Sequence, residues 1–226
     1  MQLAIDTSTD NAGLALLDND TVIFELSWYC RQKHTVELLP RLDYLLRRHN
    51  LNLHSVDAVI VALGPGSFNG LRAGISTAKG IAFSLGIPLV GISTLSAEAY
   101  AHAATMLPIC PIMNIGREQI ATALYRMKDG EWCQLAPEHI TTLEALITET
   151  ATRTLFCGEF IPAVADELTH VLKDKAVLPS PAARLRRATY LTELGQKQLK
   201  AGIAGDPATL QPIYLRRPSI TRPKKR

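Results

Sequence analysis

The chain has 226 residues, 47% hydrophobic and 20% charged, with a formal net charge of +3, enough for one large or two small cores. No run approaches the roughly 20 apolar residues that span a bilayer, and Asp6 interrupts the N-terminus before a signal-peptide core could form, so a cytoplasmic protein without a membrane partner is expected. Residues 216–226 hold six of the 24 basic residues and no acid, leaving 18 basic against 21 acidic residues, a net −3, in the body, which is not the charge of a nucleic-acid-binding surface.

In chain order, residues 2–6, 12–17 and 22–28 read as a three-strand meander, with turns at Asp10-Asn11 and Asp18-Asn19-Asp20. Residues 35–49 carry apolar side chains at 38, 39, 42, 45 and 46, one helical face, and end in Arg47-Arg48-His49. Pro40 removes a hydrogen bond from that helix, so its regular part is expected to start close to residue 40. A strand is expected over 57–63, since the run from Ala58 to Leu63 is continuously apolar and β-branched, as a buried parallel strand requires.

The block Gly64-Pro65-Gly66-Ser67-Phe68-Asn69-Gly70 then turns the chain into a helix over 71–85. Two readings fit it: a loop whose free N–H groups and helix N-terminus meet an anion, or a tight strand-to-helix turn. The glycine spacing does not match the dinucleotide fingerprint, Lys79 lacks the neighbours of a Walker loop, and Pro65 and Asn69 stand where a serine-hydrolase elbow needs glycine. Gly70, Ala73, Gly74, Thr77, Gly80 and Ser84 form a small-residue stripe on the helix, opposite Leu71, Ile75, Ala78, Ala82 and Leu85. Gly74 and Gly80 each cost a helix about 1 kcal/mol relative to Ala, a cost that close approach would offset, either by the helix over 35–49 or by a partner protein.

Strand 88–92 and helix 94–105 complete a first lobe, residues 1–106. A second, smaller lobe, 107–226, reads as strand 109–113, a hairpin of 119–127 and 131–135 around Asp129-Gly130, helix 141–150, strand 154–157, helices 160–170 and 182–200, and an extended segment 205–216 before the basic tail. No internal repeat is visible. The tail either touches RNA phosphates or is simply solvated. The cysteines at 30, 110, 133 and 157 form no C-x-x-C pair and read as free thiols. The six histidines show no H-x-x-x-H spacing, so no metal ligands are expected. His34 reads as a helix cap or an interface contact. Asp6-Thr7-Ser8-Thr9 closes the first strand as an Asx or ST turn would.

Four segments, in this order, carry a resemblance: Leu3-Ala4-Ile5-Asp6-Thr7-Ser8-Thr9, His34-Thr35-Val36-Glu37-Leu38-Leu39-Pro40, Gly64 to Gly74, and Pro212-Ile213-Tyr214-Leu215-Arg216. Together the chain resembles the TsaB (YeaZ) family, with Asn69 where that family usually has Thr. The resemblance implies an α/β, actin-like (ASKHA, ribonuclease H-like) two-lobed fold with mixed sheets. It also implies a role in the t6A modification of tRNA adenosine 37: a non-catalytic scaffold or activator that binds a TsaD-like paralogue, with a TsaE-like ATPase in the same complex, tRNA contacted indirectly and a homodimer formed by the chain alone.

For site residues the resemblance implies no catalytic group, no metal and no cofactor of its own. A vestigial nucleotide contact would involve Asp6, Thr7, Ser8, Gly64, Gly66 and Ser67, with ATP or ADP met only in the complex. The partner interface would involve His34, Leu38, Leu71, Ala73, Gly74, Thr77 and Gly80. Where the family often shows an Asp-Ala-Arg type sequence this chain has Asn114, and catalysis by an actin-like enzyme needs a second acid there. An active ATP-dependent phospho- or carbamoyltransferase of the same fold is the alternative. A peptidase reading has no nucleophile–base or zinc constellation to support it.

Overall fold

The computed structural model describes residues 1–216. Five of the six basic residues of the tail (Arg217, Arg222, Lys224, Lys225 and Arg226) lie outside the described residues, and with them the RNA-contact expectation. Among the described residues, no helix is long and apolar enough to cross a membrane.

The meander forms as its alternating residues require: β1 (Gln2–Asp6), β2 (Asn11–Asp18) and β3 (Thr21–Tyr29) pair antiparallel, and β4 (Ala58–Gly64) and β5 (Leu89–Ser93) add in parallel beyond β1. The order is β3-β2-β1-β4-β5. The second sheet, from β6 (Ile109–Asn114), β7 (Ile120–Lys128), β8 (Glu131–Thr141), β9 (Thr154–Cys157) and β10 (Ala176–Val177), has the order β10-β9-β6-β7-β8. From its other edge that is the same pattern, a meander followed by two parallel strands beyond its first member. The lobes share one topology although no repeat shows in the residues, and this is the two-lobed actin-like arrangement with mixed sheets that the resemblance implied.

Residues that alternate along the strands divide each sheet between two sets of helices. Leu3, Ile5, Leu14, Leu16, Val59 and Val61 face α1 (His34–Arg48) and α2 (Phe68–Leu85). On the other side Ala4, Ala15, Ile60, Ala62 and Val90 meet Ala188, Leu191 and Leu194 of α6 (Ala188–Lys200). In the second sheet, Cys110, Ile112 and Phe156 pack against α4 (Leu143–Glu149) and α5 (Ile161–Leu172), whereas Ile109, Ala121, Ala123 and Leu155 pack against Leu95 and Ala99 of α3 (Thr94–Tyr100). The lobes thus exchange helices: α3 follows the first sheet and covers the second, and α6 follows the second and covers the first. The expected division at residue 107 is therefore incomplete, because α6 and the segment through Gly205, which bridges to Leu89, return to the first lobe.

Several boundaries differ from expectation for identifiable reasons. Helix α1 is regular from His34, with Pro40 inside it. The carbonyl that Pro40 leaves unpaired belongs to Val36, on the exposed face, where water can satisfy it. Helix α2 starts three residues earlier than expected because Ser67 caps it, accepting the Gly70 N–H at 3.3 Å. Helix α6 begins at Ala188 instead of 182. The residues before it form a separate short turn at Pro181–Ala183, and of residues 180–187 only Arg186 is buried.

Candidate functional site

A cleft of about 580 Å³ lies between the lobes, lined on one side by Ser8, Gly66, Ser67 and Asn69 and on the other by residues 111–115, Gly158 and Glu159. Strand ends from both sheets open into it, the usual place for a ligand in an α/β fold.

The glycine block is first of all a turn packed on the end of β1. A Cβ at Gly66 would stand 2.2 Å from the Ser8 carbonyl oxygen, so only glycine fits. The same carbonyl accepts the Ser67 N–H at 2.6 Å. The Gly64 N–H goes to the Thr94 hydroxyl at 3.1 Å and that of Gly70 to the Ser67 hydroxyl. Three donors that the anion reading would use are committed within the chain.

The small-residue stripe divides in the same way. A Cβ at Gly74 would lie 2.2 Å from Thr7 Oγ1, and one at Gly70 would lie 2.2 Å from the Thr7 carbonyl oxygen and 3.1 Å from the His34 ring. The Thr7 hydroxyl donates to the Gly70 carbonyl at 2.7 Å, pinning α2 to the end of β1. The requirement for a small residue at 74 is thus met inside the chain, by a strand instead of a partner helix. Leu38 and Leu71 are core residues, each 1% exposed, and His34 is buried with Nε2 2.8 Å from the Thr9 carbonyl. Of the expected interface positions, Ala73 and Thr77 are half-buried and Gly80 is exposed, with nothing within 4 Å of a Cβ placed there.

The strongest polar constellation is one that residue spacing did not announce. The Arg186 side chain, 1% exposed, enters the cleft from the segment before α6. Its Nε donates to Asp6 Oδ2 at 2.6 Å, and Nη1 to Glu98 Oε2 at 2.9 Å and Glu159 Oε1 at 3.1 Å. Nη2 donates to the hydroxyls of Ser8 at 3.1 Å and Thr9 at 3.0 Å, and reaches the Asn11 carbonyl at 3.5 Å. The other oxygen of Asp6 accepts the Ser8 N–H and hydroxyl, completing the Asx turn read from the sequence. Burial works against the guanidinium charge, but Asp6, Glu98 and Glu159 outweigh it and raise the Arg186 pKa above its ordinary value. Burial pushes the Glu98 carboxyl up to about 7, with Arg186 pulling against it.

The end of β6, where a second acid would be needed, presents Asn114, whose Oδ1 accepts the Gly116 N–H of its own turn at 2.8 Å. The acids that do approach Asp6 are Glu98 on α3 and Glu159 after β9. Glu98 had a signal, a lone charge among Leu95, Ala97 and Ala99. Arg186, within Arg184-Leu185-Arg186-Arg187, had none.

The structure also gathers Asp10, Cys30 and His34, with one ligand atom from each within 4.8 Å of the others, although the sequence placed His34 in no cluster. Each already has an internal role. Asp10 Oδ1 accepts the Gln32 N–H at 2.9 Å and lies 3.9 Å from the Cys30 sulfur, while His34 turns to Thr9. Burial, with Asp10 adding to it, raises the Cys30 pKa, the reverse of what a thiolate nucleophile needs. The Cys–His–Asp grouping is not a peptidase triad.

The chain matches the family model for TsaD, tRNA N6-adenosine threonylcarbamoyltransferase, over residues 29–222. It is 33% identical over 217 residues to the Bacillus subtilis tRNA threonylcarbamoyladenosine biosynthesis protein TsaB, covering 95% of this chain and 93% of that one. It is 32% identical to the Haemophilus influenzae protein of the same name, covering 95% and 92%. Among solved structures it superposes on a Pseudomonas aeruginosa protein described as uncharacterized with similarity to peptidase YEAZ, at a TM-score of 0.81 and 24% identity, covering 95% of this chain and 99% of that one.

Proposed function

Because the chain belongs to the TsaB (YeaZ) family of tRNA threonylcarbamoyladenosine biosynthesis proteins, we propose that it is a non-catalytic subunit that binds a TsaD-like paralogue and supports threonylcarbamoylation of tRNA adenosine 37. The observation that carries this reading is the apolar exposure on α1 and α2, which pack on each other. Val36 is 67% exposed, Leu39 51%, Tyr44 64% and Phe83 82%, and aromatic and aliphatic side chains left in water on two neighbouring helices suit a docking face. Ala73, Thr77 and Gly80 lie on the same helices with little side chain to obstruct close approach. The same face serves the homodimer of the chain alone, and the TsaE-like ATPase and the tRNA join through the paralogue. Asp6 supports the non-catalytic part of the reading, since its carboxylate is already bound to Arg186 and no acid stands at 114.

The experiment is co-purification with a TsaD-like protein, with modified tRNA as the second readout. Leu39→Asp combined with Phe83→Asp should weaken the complex at least about ten-fold, because a charge cannot enter an apolar contact unpaired, while the melting temperature stays unchanged. Undiminished binding by the folded double variant would overturn the interface. Saturable, magnesium-dependent ATP turnover by the isolated chain would overturn the non-catalytic reading in favour of a transferase.

A further inference from the structure

The guanidinium of Arg186 is enclosed by oxygen. Three carboxylates, two hydroxyls and a backbone carbonyl converge on it from the end of β1 and its turn into β2, from α3 and from the turn after β9. All five of its N–H donors have protein acceptors: one on Nε for Asp6, two on Nη1 for Glu98 and Glu159, and two on Nη2 for Ser8, Thr9 and Asn11. Arginine does not lose its proton at any physiological pH, so this positive charge is permanent. The carboxylates are arranged around it, with Asp6 and Glu98 each less than a tenth exposed. Two such buried acids stay close together only with a counter-ion between them or with a proton held on one of them.

An all-oxygen shell rich in carboxylates is also the donor set that hard divalent cations choose. We infer that Arg186 is the resident cation of this cleft: it fills the position at which Asp6, Glu98 and Glu159 would otherwise gather a divalent metal ion, and thereby determines that the cleft takes none. A polyphosphate entering without a metal would meet no unused donor on Arg186 and an excess of acids, Asp10 at the cleft wall included. The inference rests on the non-catalytic reading above and supplies a physical reason for it, but its test is made on the isolated chain, so partner binding can fail or succeed independently.

The test replaces the guanidinium by an uncharged side chain of similar length and supplies Mn²⁺ as the probe, with bound metal followed by the loss of free-ion paramagnetic signal. Arg186→Met should bind one Mn²⁺ at least about ten-fold more tightly than the wild-type chain, and its melting temperature should rise with Mn²⁺ while the wild-type value does not. Arg186→Lys, which keeps a charge, should gain nothing. Adding Glu159→Gln to Arg186→Met should remove the gain. If Arg186→Met is unfolded without metal, refolding on Mn²⁺ supports the inference, and failure to fold at any Mn²⁺ concentration overturns it. Equal Mn²⁺ binding by the wild type and Arg186→Met, or a gain that survives Glu159→Gln, overturns it as well.

Discussion

Arg186 and Asp6 stand 180 positions apart in the chain and 2.6 Å apart in the cleft, both almost wholly buried. The aspartate that the resemblance assigned to a vestigial nucleotide contact is, in this chain, one of three carboxylates bound to a buried arginine. Asp6→Ala would leave the guanidinium short of its nearest partner and cost on the order of 3 kcal/mol, the scale for breaking a buried pair. Urea denaturation checks it. A loss of function in that variant would then be read as lost stability, and a fully stable Asp6→Ala chain would contradict the network.

Gly74 and Gly80 share a helix and should respond oppositely to alanine. At 74 the new methyl would meet Thr7 Oγ1 at 2.2 Å, and the Thr7 hydroxyl is tied to Gly70. Overpacking of this kind costs about 1 to 3 kcal/mol, more than the roughly 1 kcal/mol gained in helix propensity. At 80 the methyl meets nothing, so Gly80→Ala should stabilise the isolated chain by up to about 1 kcal/mol. Denaturant midpoints of the two variants decide the matter, and equal midpoints would refute the placement of α2 against Thr7.

Glu98 makes the stability depend on pH in a stated direction. Its carboxyl is raised by burial from an ordinary 4.5 to about 7, so between those values the folded chain holds a proton that the unfolded chain has released. The contribution is fully present below pH 4.5, declines as pH rises, and is lost above about 7, with a slope of at most about 1.4 kcal/mol per pH unit. Glu98→Gln should flatten the curve in that window. A variant whose stability follows the wild-type slope from pH 5 to 7 would show that Glu98 stays ionised in the fold.

Thiol titration offers a check on burial. Cys30, Cys110 and Cys157 are buried and Cys133 is half-exposed. Burial pushes the Cys110 thiol up to about 12 and that of Cys157 well above its ordinary value. One thiol, removed by Cys133→Ser, should react quickly with a disulfide reagent in the native chain, and the other three only after denaturation. Fast reaction of Cys30 would mean that Asp10 and His34 activate it.

The strands were legible because continuous runs such as Ala58 to Leu63 and the alternation in β1 and β2 have few other ways to bury themselves. The Asp6–Ser8 turn was legible for the same local reason, whereas the Ser67 cap, which starts α2 three residues early, was not. The shared topology of the lobes was not, since it is specified by which residues face inward and not by their identities. The helix exchange was hidden because Leu95 and Leu191 only show that their helices have an apolar side, not which sheet that side meets. Arg186 was least legible of all: in Arg184-Leu185-Arg186-Arg187 its neighbours suggest a solvated basic run, and its burial depends on α6 returning to the first sheet.

That return has a consequence for cutting the chain. A fragment ending near residue 107 would keep the first sheet but bare Ala4, Ala15, Ile60 and Val90 where Leu191 and Leu194 belong, and the complementary fragment would bare Ile109, Ala121 and Leu155 where Leu95 belongs. Neither half owns a closed interior. Separately expressed, the two pieces should aggregate or stay unstructured, and co-expressed they should find each other, so that the intact chain melts in a single step despite having two sheets.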